Sequence, residues 1–243
     1  MRQRRGAGRR RARAALARGL WAAAEVTVTL GVVVLLLVVH QLWWTNQQAR
    51  QGAERQVRAL ERDWGREAAA PGGAPAPARR NPQESPEPRK TPRWDQAYAV
   101  LRIPRLGVVA PVAQGIGKRG VLDKGYIGHY PGTAQPGQAG NFAVAGHRNT
   151  HGEPFRYIDR LRSGDTVRIE TREGVFNYAV DQRLPQTTPR DTGVVAPVPR
   201  SLVRPSAGYG EPGYYLTMTT CTPEFSSRYR LVVWAKLTSM RPR

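Results

Sequence analysis

The longest apolar run lies near the N-terminus. Residues 20–44 read LWAAAEVTVTLGVVVLLLVVHQLWW, with no charge between Val26 and Val39. As a helix rising ~1.5 Å per residue the run is roughly 37 Å long, enough to cross a hydrocarbon core of ~30 Å. Glu25 falls near its start, within reach of headgroups or Arg18, and not at mid-span, where a charge costs on the order of 2.5–3.5 kcal/mol. Trp43 and Trp44 suit the opposite interface, where an indole has one wet edge and one apolar face. A cleaved signal peptide has an apolar core of only ~7–15 residues and a small-residue cleavage site. This run is longer and ends in Leu-Trp-Trp, so an uncleaved transmembrane signal anchor over 20–44 is expected.

Beyond it the pattern changes twice. Residues 46–67 mix Arg and Asp/Glu almost evenly, which predicts a continuing polar helix or a segment lying along the membrane surface. Residues 68–93 carry Pro71, Pro75, Pro77, Pro82, Pro86, Pro88 and Pro92, a density that removes donors and favours an extended path. At ~3.1 Å per residue that path could reach roughly 80 Å. Residues 45–93 are therefore expected to be an extracellular polar and Pro-rich stalk. From Trp94 short apolar or alternating runs follow one another: 99–103, 107–112, 141–145, 166–170, 175–180, 214–221 and 231–237. Pro104 separates the first two, and Thr171-Arg172-Glu173-Gly174 is a hairpin signal. Seven or eight short strands with Gly/Pro turns and few helices predict one mostly β domain over 94–243, a small, mainly antiparallel barrel or sandwich.

Charge orients the chain. The formal charge is +20 with a pI near 11.3, and eight arginines precede the first acidic residue, Glu25. The basic tail, residues 1–19, is expected to stay cytoplasmic, leaving the C-terminal domain outside the cell. Zinc-finger spacing, an aromatic RNA-binding signature and a basic helix with heptads are all missing, so the charge implies affinity for a lipid bilayer and no nucleic-acid partner. Cys221 is the single cysteine and cannot form an internal disulfide. A lone cysteine is commonly a buried small hydrophobe, but in an exported chain an unpaired thiol is an oxidation liability and calls for a reason.

That reason lies at the last two strands. Alternation along 214–221 puts Thr217, Thr219 and Cys221 on one face and Leu216, Met218 and Thr220 on the other, with the thiol at a strand end where substrate can reach it. If the final strand pairs with this one, Arg230 comes to lie beside Cys221, where a guanidinium can steady an oxyanion. Arg228 is two residues away and competes for the role. Of four histidines, His147 ends the apolar run Phe142-Ala143-Val144-Ala145-Gly146-His147 and is the candidate proton partner for the thiol. A histidine after a β run is as readily structural. No carboxylates cluster with calcium-binding spacing, and neither a metal nor a cofactor is expected.

These features together resemble the sortase family of cysteine transpeptidases: Thr217–Cys221 (TMTTC), an arginine nine residues on, and an Ala-Gly-His strand end upstream. The likeness covers about residues 95–243. It is greatest to class E sortases of high-GC Gram-positive bacteria, which share LTxTTCTP, an RLVVW-type last strand and a segment matched here by residues 128–148 (GHYPGTAQPGQAGNFAVAGHR). The resemblance implies an eight-stranded sortase-type β-barrel with short helices. It implies Cys221 as nucleophile, His147 as acid/base and Arg230 as oxyanion partner, with Thr219 and Thr220 shaping the substrate site. The implied reaction cleaves the Thr–Gly bond of a C-terminal sorting signal, of Leu-Ala-x-Thr-Gly or Leu-Pro-x-Thr-Gly type. A thioester forms, and the surface protein passes to an amine of a cell-wall precursor. In sortases residues 188–212 would form a substrate-selecting loop.

Three rivals remain to be weighed. Thr150-His151-Gly152 imitates part of an L,D-transpeptidase motif, but Glu153 stands where that motif has its cysteine. A pilin-polymerising sortase usually carries a lid with an aromatic after an Asp, and Trp94-Asp95 has the reverse order. A non-catalytic wall-binding module would bury Cys221 and tolerate its loss.

Overall fold

The computed structural model describes the backbone of residues 4–69 and 92–243. The chain forms two compact units, Met1–Trp44 and Thr45–Arg243. A single helix, α1 (Arg4–Ala69), runs through the first and into the second. Among the described residues it is the one helix long and apolar enough to cross a membrane.

Eight strands follow: β1 (Ala97–Ile103), β2 (Val108–Gln114), β3 (Ile127–His129), β4 (Gly140–Ala145), β5 (Thr166–Thr171), β6 (Gly174–Thr187), β7 (Tyr214–Thr222) and β8 (Tyr229–Pro242). They close into a barrel in the order β1-β2-β3-β4-β7-β8-β6-β5. The expected eight-stranded barrel is present, with a mixed sheet: β2–β3 and β4–β7 run parallel and the other six pairs antiparallel. All seven sequence-predicted runs are strands. The strand that pattern reading missed is β3, three residues long with a central glycine, too short to show an alternation. At the hairpin turn, Thr171 Oγ1 accepts from the amides of Glu173 and Gly174 at 3.1 and 3.3 Å.

Alternate residues fill the barrel. Leu101, Ile103, Phe142, Val144, Ile169, Leu216, Met218, Leu231 and Val233 all belong to one buried cluster. The opposite faces of β7 and β8 hold Tyr215, Val232 and Trp234, covered by Val194 and Tyr209 from the long 188–213 segment. That segment is tied down by polar contacts. Asp191 is buried and accepts from Thr187 Oγ1 and Ser201 Oγ at 2.5 Å and from the Leu202 amide at 2.8 Å. The Val194 carbonyl accepts from Trp234 Nε1 at 3.1 Å.

The stalk expected over 45–93 needs correction at its start. Residues 45–69 continue α1 and belong to the same compact unit as the barrel. Balanced charge concealed an apolar stripe: Ala49, Ala53, Val57, Leu60 and Trp64 fall at helical spacing, and all but half-buried Leu60 are buried. Val57 and Trp64 pack with Val100 of β1, while Leu60 also meets Ala97, Ala113 and Val121. Arg102 bridges Glu61 of the helix and Glu170 of β5, and the Arg243 guanidinium lies 4.5 Å over the Trp64 ring. The compact unit thus begins well before Trp94. The Pro-rich part of the expected stalk falls largely on residues 70–91, outside the described residues.

His129 of β3 is fully buried. Its Nδ1 lies 2.9 Å from both the Tyr98 hydroxyl and Gln114 Oε1, and its Nε2 lies 2.9 Å from Thr133 Oγ1 and 3.1 Å from the Ala134 carbonyl. Burial pushes its pKa down to about 4.

Two predictions follow from this packing. Trp64→Ala in the full-length chain should cost on the order of 3 kcal/mol in chemical denaturation, the usual loss for a large buried aromatic; an unchanged midpoint would mean the helix does not brace the barrel. His129 takes up its proton more readily when unfolded, so stability should be complete above its unfolded pKa of ~6.5 and should fall as pH drops toward ~4. His129→Gln should flatten that part of the stability–pH curve, and parallel curves for the two proteins would contradict the assignment.

Candidate active site

Three neighbouring strands carry the three candidate groups. Parallel pairing of β4 with β7 runs from Gly140 opposite Tyr214 to Ala145 opposite Thr219. Beyond the formal end of β4 the same offset continues: the Gly146 amide donates to the Thr219 carbonyl at 3.1 Å, and Thr220 Oγ1 donates to the Gly146 carbonyl at 2.8 Å. His147 follows Gly146 directly, two residues past the last paired position of β4. On the other side of β7, antiparallel β8 places Arg230 directly opposite Cys221, and residues directly opposite in a ladder share a face. Cys221 thus sits between a histidine strand and an arginine strand, partly exposed.

Arg230 and Arg228 are not equivalent. Arg230 is in β8 and half-buried, with Nη1 donating to the carbonyls of Ser227 and Tyr229 at 2.8 and 3.0 Å. The other donors of its fork are not used in those bonds. Arg228 precedes the strand, is exposed, and lies over the Tyr229 ring at 5.2 Å.

Thr219 and Thr220 are each 3% exposed, so their hydroxyls serve the protein itself. Thr219 Oγ1 donates to the Val144 carbonyl at 3.3 Å and lies 3.0 Å from the Tyr130 hydroxyl, while Thr220 stitches β7 to Gly146.

Four residues that sequence reasoning did not assign to the site complete it. Asp123 Oδ1 lies 2.9 Å from His147 Nε2. A carboxylate only accepts, so Nε2 carries the proton and Nδ1 is the nitrogen left for chemistry. His151 stacks on His147 with ring centroids 5.4 Å apart, and its Nδ1 is 3.8 Å from the same carboxylate oxygen. Arg148 is 6% exposed. It donates to the Cys221 carbonyl at 3.3 Å, to Thr222 Oγ1 at 3.0 Å and to Asp159 Oδ2 at 3.2 Å, fixing the end of β7. Tyr130 reaches Thr219 from the loop after β3. Arg148 and His151 follow His147 closely enough for their proximity to be anticipated. Nothing in Leu122-Asp123-Lys124 marks Asp123, which a short 3₁₀ turn over those residues delivers. Asp123, His147 and His151 place their ligating atoms within 4.8 Å of one another, a spacing that a small divalent ion could accept. The Asp123–His147 hydrogen bond accounts for the closest pair on its own.

Comparison with known proteins identifies the family. A family model described as a sortase domain matches residues 101–238. The chain is 44% identical over 224 residues to sortase SrtE1 of Streptomyces coelicolor, covering 90% of this chain and 57% of that protein. It thus spans little more than half the length of that relative. Sortase SrtE2 of the same organism is 30% identical, with 96% of this chain and 87% of that protein aligned. A crystal structure of S. coelicolor sortase E1 with a tripeptide in the active site superposes with a TM-score of 0.59 at 48% identity, over 63% of this chain and 94% of that one. Sortase E from Streptomyces avermitilis gives 0.54 at 44% identity, over 62% and 93%. The chain belongs to the sortase family of cysteine transpeptidases, and within it sides with class E.

Proposed function

We propose that this protein is a membrane-anchored class E transpeptidase that transfers proteins bearing a C-terminal sorting signal to an amine of the cell wall. The observation that supports this most is the adjacency of β4, β7 and β8, with Cys221 and Arg230 directly opposite each other and His147 two residues past the end of β4. Cys221 Sγ gives its proton to His147 Nδ1 and attacks the threonine carbonyl carbon of a Leu-Ala-x-Thr-Gly or Leu-Pro-x-Thr-Gly signal. Arg230 donates to the tetrahedral oxyanion. The C–N bond to glycine then breaks, His147 returns the proton to the leaving amine, and a thioester remains on Cys221. An incoming amine attacks that thioester, His147 takes its proton, and the thiol is regenerated as the new amide forms.

Other groups position these three. Asp123 holds the His147 tautomer, and Arg148 holds the end of β7. Thr219 and Thr220 lock the β4–β7 register, a role that fits their burial better than direct contact with the signal. The 188–213 segment, tied through Asp191, is the candidate selecting loop. Residues 20–44 act as the anchor, with the basic tail inside and the barrel outside, as the arginine asymmetry favours.

With the full-length chain in detergent, a labelled signal peptide and an amine acceptor, Cys221→Ala should abolish transfer. His147→Ala and Arg230→Ala should each lose on the order of 10²–10³-fold in kcat, while Arg228→Ala should stay near wild type. An active Cys221→Ala protein would leave a wall-binding module as the better reading. In paired peptides differing only at the second signal position, the alanine peptide should give the higher kcat/KM; equal values would remove the class E preference. Asp123→Asn should lower kcat by roughly tenfold with KM little changed, as expected for a group acting through His147; a full-speed variant would make that hydrogen bond incidental.

A further inference from the structure

The two groups that flank His147 sit on separate loops, and both loops rest on the part of α1 that follows Trp44. Asn46 Oδ1 accepts from the Gly152 amide at 2.8 Å, and Arg50 Nε donates to the Gly152 carbonyl at 3.2 Å. Arg50 Nη2 also reaches Glu153 Oε2 at 3.2 Å, where Arg156 Nη1 meets the same oxygen at 2.7 Å. The Glu153 side chain is only 4% exposed, so this paired carboxylate is a fixed point and not a surface contact. The helix backbone packs as closely on the other loop. Gly125 caps the turn that carries Asp123, and a Cβ added to it would fall 2.9 Å from the Ala49 carbonyl oxygen and 3.2 Å from that of His151.

The backbone between these contacts is unusual. His151, Gly152 and Glu153 all have positive φ, at 52°, 84° and 55°, a region that residues with a Cβ avoid. Conformations of this kind persist only where the surroundings over-determine them. The His151 ring stacks on His147, but its buried Nδ1 makes no hydrogen bond that would fix the turn. The helix satisfies both backbone polar groups of Gly152, the central residue of the strained triplet.

We infer that Asn46 and Arg50 are positioning residues of the catalytic centre: the helix after Trp44 holds the His151–Glu153 turn and, through Gly125, the Asp123 turn, and the two together orient His147. The inference rests on the transpeptidase reading for its effect on turnover, though not for its effect on the loop. It makes a segment that reads as a charged linker a component of the active site.

The test uses the full-length chain in detergent, comparing wild type with Asn46→Leu, Asn46→Asp, Arg50→Met and the exposed control Arg58→Ala. Asn46→Leu and Arg50→Met should lower kcat between ~10- and ~100-fold, the range for a misplaced catalytic group, with KM and melting temperature little changed. Amide hydrogen exchange at Gly152 should accelerate in both, and the imidazole NMR signals of His147 should shift. Asn46→Asp keeps an acceptor for the Gly152 amide and should restore most of kcat and protection, while Arg58→Ala should match wild type. Unchanged kcat and Gly152 exchange in Asn46→Leu and Arg50→Met would overturn the inference, as would losses that only track the folded fraction, or an aspartate variant no better than leucine. A wild-type chain that transfers no peptide would sink the transpeptidase reading instead, and the Gly152 and His147 signals would still decide whether the helix holds the loop.

Discussion

The structure depends on the register of three strands. Cys221 has no chemistry by itself; its setting comes from the strands hydrogen-bonded on either side of β7, one followed two residues on by His147 and the other carrying Arg230 opposite the cysteine. A slip of one residue on either side would turn the partner's side chain to the opposite face. Several interactions act against such a slip. Leu216 and Met218 are committed to the barrel interior and Thr217 and Tyr215 to the outer layer. The Thr219 and Thr220 hydroxyls bond carbonyls of the histidine strand, and Arg148 ties that strand's continuation to the Cys221 carbonyl.

Much of this was legible in the chain, for reasons that differ by element. The barrel strands were visible as short apolar or alternating runs: Val167 and Ile169 alternate with polar neighbours in Thr166–Thr171, and Leu216 and Met218 alternate with threonines in Tyr214–Thr222, although that strand is buried on both faces. The cysteine–arginine pair followed from assuming that β7 and β8 were neighbours, an assumption that the topology supports. Arg230 was preferred to Arg228 because it directly precedes the apolar run, and it lies within β8 while Arg228 precedes the strand. The two threonines beside the cysteine looked like substrate contacts because they adjoin the nucleophile. Burial assigns their hydroxyls to the strand beside them.

What was hidden was hidden by distance along the chain or by the mixture of signals. Asp123 reaches His147 from 24 residues away through a 3₁₀ turn with no sequence mark. The helix after Trp44 was read from its charges, although the same residues carry a stripe from Ala49 to Trp64. Arg50, Glu61 and Glu67 show why both patterns coexist: these charges of the helix pair with Glu153, Arg102 and Arg172 on the barrel side. A charge-balanced helix with a narrow apolar face is a docking element as readily as a linker.

The most direct test is a crystal structure of the barrel unit trapped as a covalent complex between Cys221 and a signal peptide carrying a thiol-reactive threonine surrogate. The account predicts that the oxygen standing in for the scissile carbonyl accepts a hydrogen bond from Arg230, with the His147 imidazole facing the leaving-group side and Asp123 still on its Nε2. A peptide bound with that oxygen turned away from Arg230, or with His147 on the far side of β7 from the bond that breaks, would contradict it.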